Sequence, residues 1–128
     1  MKVAPKMLAI EKELEGMGFK VILPNNLEVQ NDYSSMTSEE YRIVKNKMIV
    51  GHMEEIKRSD AILVVNEKLK DIDGYIGANS FLEMGFALCF HKKIFILNPI
   101  PNQPNSVEIN GLLPIVLSGN LSLIKENL

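Results

Sequence analysis

Cysteine is nearly missing from this chain: Cys89 is the single thiol among 128 residues. One thiol builds neither a disulfide framework nor a cysteine-based metal site, and it predicts a reducing, cytoplasmic setting. The two histidines, His52 and His91, show no HExxH or paired spacing, so no metal ligand set is expected. Charge of one sign is also scarce. The 14 Lys and Arg face 16 Asp and Glu for a formal charge of -2, and without a basic stripe nucleic acid is not expected as a partner. No apolar run approaches a membrane span, and the residues after Lys2 lack the apolar core of a signal peptide. These absences predict a soluble, unexported protein with no membrane partner. A GxGxxG fingerprint and a P-loop are missing too, so neither a dinucleotide nor ATP on a Walker loop has support, and no cofactor is expected.

What is present is ordinary in bulk, with 46% hydrophobic and 23% charged residues. That composition and length fit one globular domain over residues 1–128. No repeat or low-complexity segment interrupts it.

Helix and strand signals alternate along the chain. Val3 to Met17 reads as a helix, with Pro5 in its first turn and Met7, Ile10, Leu14 and Met17 at helical spacing. Gly18 suits a left-handed cap. Phe19 to Leu23 is a short apolar run that predicts a strand closed by Pro24-Asn25-Asn26, and Leu27 to Met36 is a polar connection. Thr37 and Glu40 have capping-box spacing, and Tyr41, Val44, Met48, His52, Met53 and Ile56 then form one stripe ending at Ser59-Asp60. Ala61 to Val65 and Lys93 to Leu97 are continuous apolar runs, which predicts adjacent central strands of a parallel sheet covered on both faces. Pro114 to Leu117 reads as a last short strand and Leu121 to Asn127 as a last helix. Such alternation argues an α/β fold with helices on both faces of a parallel sheet. Folds of that kind usually begin with a strand, and here that first strand is missing.

The segment Gly74 to Pro101 organises the rest. A Gly-marked loop leads into a nearly all-apolar helix from about Ser80 to Phe90, and that helix feeds the strand at Lys93. Glu83 is the only charge on the helix. It either closes a capping box with Ser80 or does chemistry. In open α/β sheets ligands gather at the carboxyl ends of the strands. Here that edge comprises Pro24 to Asn26 after the first strand, Asn66 to Lys70 after the second and Asn98 to Asn102 after the third, with Gly77 to Glu83 entering the helix, where the backbone N–H groups of Gly77, Asn79 and Ser80 suit a phosphate, a carboxylate or sugar hydroxyls. Asn66 and Glu108 either touch ligand or satisfy loop backbone. His91, beside Lys92 and Lys93, reads as a cation complementing a helix C-terminus.

The run Gly77-Ala78-Asn79-Ser80-Phe81-Leu82-Glu83-Met84-Gly85-Phe86-Ala87, followed by Lys92-Lys93-Ile94-Phe95-Ile96-Leu97, resembles the signature of the nucleoside 2-deoxyribosyltransferase family and its related nucleotide N-hydrolases. The likeness extends over nearly the whole chain. It implies a flavodoxin-like or Rossmann-like three-layer sandwich that lacks the N-terminal strand. It also implies N-glycosidic bond cleavage or 2-deoxyribosyl transfer on a nucleoside or nucleoside 5'-monophosphate, with Glu83 as the nucleophile. The substrate-binding positions are then Gly77, Asn79, Ser80 and Asn98. The family often has an acidic residue where this chain has Gly77 and another near the position of His52, which leaves His52, Asp60 and Asp73 as candidate acid/base groups. The alternative is a non-catalytic nucleotide-binding module that keeps the fold of such enzymes. Family members tend to complete their sites with a neighbouring subunit, and a missing interior strand would leave backbone groups unpaired. Both points imply a homodimer or larger oligomer, with the helix Glu39 to Lys57 as its contact element.

Overall fold

The structure is a computed structural model that describes residues 4–24 and 35–128. The chain divides into two compact units, residues 1–54 and 55–128. Each is taken by itself.

In the first unit, α1 spans Ala4–Gly16 and buries Ile10 and Leu14, one turn apart. It ends as its sequence predicts. Gly18 adopts φ +94°, its N–H donates to Glu15 O (3.0 Å) and the Phe19 N–H donates to Leu14 O (3.1 Å). That pair of bonds is a Schellman motif, which needs a residue able to turn left-handed at the glycine position. The strand expected at Phe19 to Leu23 is not formed; these residues follow α1 without regular structure. An apolar run becomes a strand only when a neighbour completes its backbone ladder, and among the described residues none pairs with it. The turn at Asn25-Asn26 and most of the polar connection lie outside the described residues.

The helix α2, Ser38–Arg58, begins on a reciprocal capping box. The Glu40 N–H donates to Thr37 Oγ1 (3.1 Å) and the Thr37 N–H to Glu40 Oε1 (3.5 Å). Glu39 and Glu40 in its first turn and Lys57 and Arg58 in its last complement the helix dipole. The Ser59 N–H donates to Ile56 O and its hydroxyl to Glu55 O, ending the helix before Asp60.

The second unit holds the sheet. Strands β1 (Ala61–Val64), β2 (Lys93–Ile96) and β3 (Ile115–Val116) lie in that order and run parallel. With α3 (Ala78–Cys89), α4 (Ser106–Gly111) and α5 (Ser122–Asn127) this is a flavodoxin-like or Rossmann-like α/β arrangement. The ladder runs past the strands, since Leu97 N–H donates to Val64 O and Leu117 N–H to Ile96 O. Of the two runs expected to be central, only β2 is; β1 is an edge strand of the described sheet, with only Val64 fully buried. Continuous apolar sequence reports faces covered by helices, not a strand on each side. Beneath α3 the core gathers Met84 and Ala87 with Val64, Ile76, Ile94, Ile96 and Ile109. The carboxyl end of α3 closes with His91 at φ +59° and Lys92 N–H bonded to Ala87 O (2.8 Å), a second Schellman closure built without glycine. No helix among the described residues is long and apolar enough to cross a membrane.

Between β1 and α3 the chain makes a tight hairpin, with Lys70 and Asp71 both at positive φ and Leu69 and Ile72 exchanging both backbone bonds. It then turns at Gly74, φ +69°. A Cβ there would stand 2.8 Å from Pro99 O and 3.1 Å from Asn66 Nδ2. Gly74→Ala is therefore expected to destabilise the protein by about 2–4 kcal/mol, adding left-handed strain to a displaced hydrogen-bond network. Urea unfolding measures it, and a change under 1 kcal/mol would show that the loop relaxes freely.

Candidate functional site

The carboxyl edge of the sheet is assembled around Asn66, which follows β1 and is 1% exposed. Its carboxamide pairs with the backbone of Asn98, the second residue after β2. The Asn98 N–H donates to Asn66 Oδ1 (2.8 Å), and Asn66 Nδ2 donates to Asn98 O (3.0 Å) and Gly74 O (3.1 Å). Asn98 returns the contact, its Nδ2 donating to Asn66 O at 2.7 Å. A buried primary amide satisfies a backbone donor and acceptor together only when it supplies both an oxygen and an N–H, which an aspartate or a leucine does not. Of the two readings of Asn66, the structure displays the one in which it satisfies loop backbone.

A second carboxamide repeats the device a few residues later. Gln103 Oε1 accepts from the Ile76 N–H (3.1 Å), and Gln103 Nε2 donates to Ile76 O (2.9 Å) and to Asn105 Oδ1 (2.7 Å). The Gln103 N–H donates to Ser106 Oγ (2.8 Å). The loop before α3 is thereby fastened to the Pro-rich loop after β2 at two points.

Those fastenings decide where α3 begins. Gly77 is its N-cap, extended at φ -76° and ψ 173°, with no side-chain hydrogen bond. The helix starts at Ala78, earlier than the apolar pattern implies. Two expectations change as a result. Ser80 lies inside the first turn and is not the N-cap. Glu83 stands in the second turn, not the first.

Glu83 is half-buried and flanks the buried Met84. Side chains on a helix tilt toward its amino end, which carries the Glu83 carboxylate back over the turn of Asn79 and Ser80. Asn79 is exposed, while Gly77, Ser80 and Asn98 are half-buried. These residues share the carboxyl edge. Asn98 spends its amide N–H on Asn66 O. Asp73 belongs to the same loop, exposed and 4.0 Å from Lys68. Asp60 is exposed at the amino end of β1, the far end of that strand from Asn66. His52 is half-buried on α2 in the first unit. That unit also carries an open groove of about 440 Å³ along α2, lined by Ser38, Tyr41, Arg42, Lys45, Asn46 and Ile49, none of them among the site residues expected from the sequence. Lys70 sets its ammonium 5.2 Å from the Tyr75 ring centroid, and Tyr75 packs near Gly77. Among the described residues no cluster of His, Cys, Asp and Glu is arranged to hold a metal ion.

Gln103 is the residue that sequence reading missed. A glutamine in an aperiodic loop of Pro and Asn gives no periodic signal, and its partner lies 27 positions away. No protein-family model matches the chain, and no curated protein or solved structure matches it either.

The helix starts yield a paired test. Thr37→Ala removes a side-chain cap and should cost about 1 kcal/mol, whereas Ser80→Ala should cost under about 0.5 kcal/mol. Denaturant unfolding of both variants compares them, and a larger loss at Ser80 would restore it as a capping residue.

Proposed function

We propose that the chain cleaves or exchanges the N-glycosidic bond of a nucleoside or nucleoside 5'-monophosphate, with Glu83 as the nucleophile. The observation that carries this reading is the place of Glu83: the one charge on an apolar helix, half-buried, in the second turn of a helix that starts at the carboxyl edge of a parallel sheet. The resemblance of Gly77 to Ala87 to the 2-deoxyribosyltransferase signature supplies the chemistry. A Glu83 oxygen attacks C1' of the sugar as the bond from C1' to the base nitrogen breaks, through an oxocarbenium-like transition state, and leaves a glycosyl ester. The departing base takes a proton. Water then attacks C1' to release the sugar, or a second base attacks it to give a new nucleoside. General-acid assistance to the leaving base contributes about 10²- to 10⁴-fold in such reactions. Asp73 is the acid/base candidate on the same loop and edge, and it is preferred over Asp60 on that ground. Gly77, Asn79, Ser80 and Asn98 surround the sugar and its substituents.

The second reading is a binding module without turnover. It is favoured by the bonding at this edge, where Asn66, Asn98 and Gln103 spend amide groups on backbone, and by Gly77 standing where the family often has an acid. Both readings place the protein in a reducing, cytoplasmic compartment, consistent with one exposed free thiol, Cys89.

Incubation with deoxynucleosides and their 5'-monophosphates, with free base read by chromatography, separates the two. Release of base by the native protein, lowered about 10³-fold or more in Glu83→Gln with the fold retained, is the expected result. A ligand-induced rise in melting temperature without base release would establish the module instead.

Assembly is part of the same proposal. In a parallel ladder a residue's N–H and C=O point to one side, so Val64, which accepts from Leu97 N–H, faces β2 while Leu63 faces outward. An all-apolar edge strand lacks the charges and prolines that usually protect an edge. A homodimer or larger homo-oligomer is expected. Light scattering over a concentration series should report a mass above 14.4 kDa, and a monomer at every concentration would refute the assembly.

A further inference from the structure

The entry of α3 has an unusual anchor. Its N-cap, Gly77, brings no side chain, yet the preceding residue, Ile76, is held on both backbone groups by the Gln103 carboxamide at 3.1 and 2.9 Å. Ile76 is 2% exposed and Gln103 half-buried, so the grip is partly shielded from water, which strengthens its bonds. Gln103 is itself immobilised: Asn105 Oδ1 accepts from its amide, and Ser106 Oγ accepts from its backbone N–H. The Ser106 hydroxyl in turn lies 2.6 Å from Pro101 O. The Pro-rich loop after β2 therefore fixes, through one side chain, where α3 leaves the sheet edge.

We propose that Gln103 is a positioning residue for the chemistry at Glu83. This rests on the reading of Glu83 as the nucleophile. Met84 and Ala87 hold α3 against the sheet through apolar contact, which constrains its distance better than its tilt or slide. Directional bonds at Ile76 supply the missing constraint. Glu83 lies about 10 Å along the helix from Ile76, so a tilt of about 10° at the entry moves its backbone by about 1.8 Å. Misplacement of about 1 Å costs on the order of 10²-fold in rate for reactions that depend on alignment. Gln103 touches neither the sugar nor the base in this scheme; it acts through Ile76 and the helix.

Two variants test it in the full chain. Gln103→Glu keeps the side chain's size and its acceptor for the Ile76 N–H, but loses the donor to Ile76 O while ionised and regains one when protonated. Gln103→Met keeps the length and removes the polar grip at every pH. Amide exchange, corrected for intrinsic rate, should show protection at Phe81 lowered about 10-fold in both variants at neutral pH and at Ile76 in Gln103→Met, with Ile94 in β2 unchanged. With the deoxynucleoside monophosphate that wild type cleaves fastest, kcat should fall about 10- to 100-fold and KM stay within about threefold. The kcat of Gln103→Glu relative to wild type should recover on acidification, and that of Gln103→Met should not. Unchanged protection at Ile76 and Phe81, or kcat within twofold of wild type in both variants, overturns the proposal. If wild type releases no base, the Glu83 reading fails, and exchange alone decides for Gln103: lost protection in both variants sustains it as the anchor of α3's entry, and retained protection overturns it.

Discussion

A side-chain carboxamide that pairs with both backbone groups of one distant residue is the interaction on which the second unit depends. Asn66 does this for Asn98 and Gln103 does it for Ile76. In each case the amide behaves as a peptide unit borrowed from elsewhere, extending a ladder where the strands have ended. Parallel strands cannot turn back on themselves, so their carboxyl ends must release chain into loops whose N–H and C=O groups still need partners. An unmet group buried at such a point costs about 1–3 kcal/mol. Two amides meet several of these needs at once.

The geometry explains a glycine that no turn rule alone requires. Asn66 Nδ2 reaches Gly74 O only because the Gly74 backbone passes against the loop after β2, close enough that a methyl group would strike Pro99 O. Left-handed φ and close approach coincide at this residue. The loop from Gly74 to Gly77 is thus held on both sides of Tyr75, and α3 inherits its direction from that loop instead of from a capping side chain. Where α2 is started by Thr37 and Glu40 within its own sequence, α3 is started by residues from the far side of β2.

That contrast marks how much of the fold and the candidate site was legible in the sequence. Features set by neighbours along the chain were readable: the capping box at Thr37, the left-handed end of α1 at Gly18, the apolar runs that became β1 and β2, and the last strand and helix. Features set by partners far along the chain were not. Phe19 to Leu23 has the residues of a strand and lacks a ladder partner among the described residues. β1 has an interior strand's composition and sits at the edge of the described sheet. The short helix α4 gave no periodic signal within six residues. At the site, Glu83 stood out because a lone charge on an apolar helix is visible in one dimension. Its turn of the helix was misjudged because Ser80 imitates a cap, and the true start is fixed by Gln103, which pattern reading has no means of seeing.

The same physics bears on what the carboxyl edge can do. Amides that are fully engaged with backbone are poor hydrogen-bonding partners for a ligand, since each new bond would break one already made. They are good scaffolding, because they hold their loops without placing charge at the sheet edge. The clamps are neutral, whereas the acidic groups near this edge include Glu83, half-buried on the helix, and Glu67, Asp71 and Asp73 in the loop after β1. A carboxylate in the first environment is shielded from water on part of its surface, and one in the second is free to exchange protons with solvent. Rigid neutral support of this kind holds the loops at the carboxyl edge and the entry of α3 in place, and the amides contribute by keeping still.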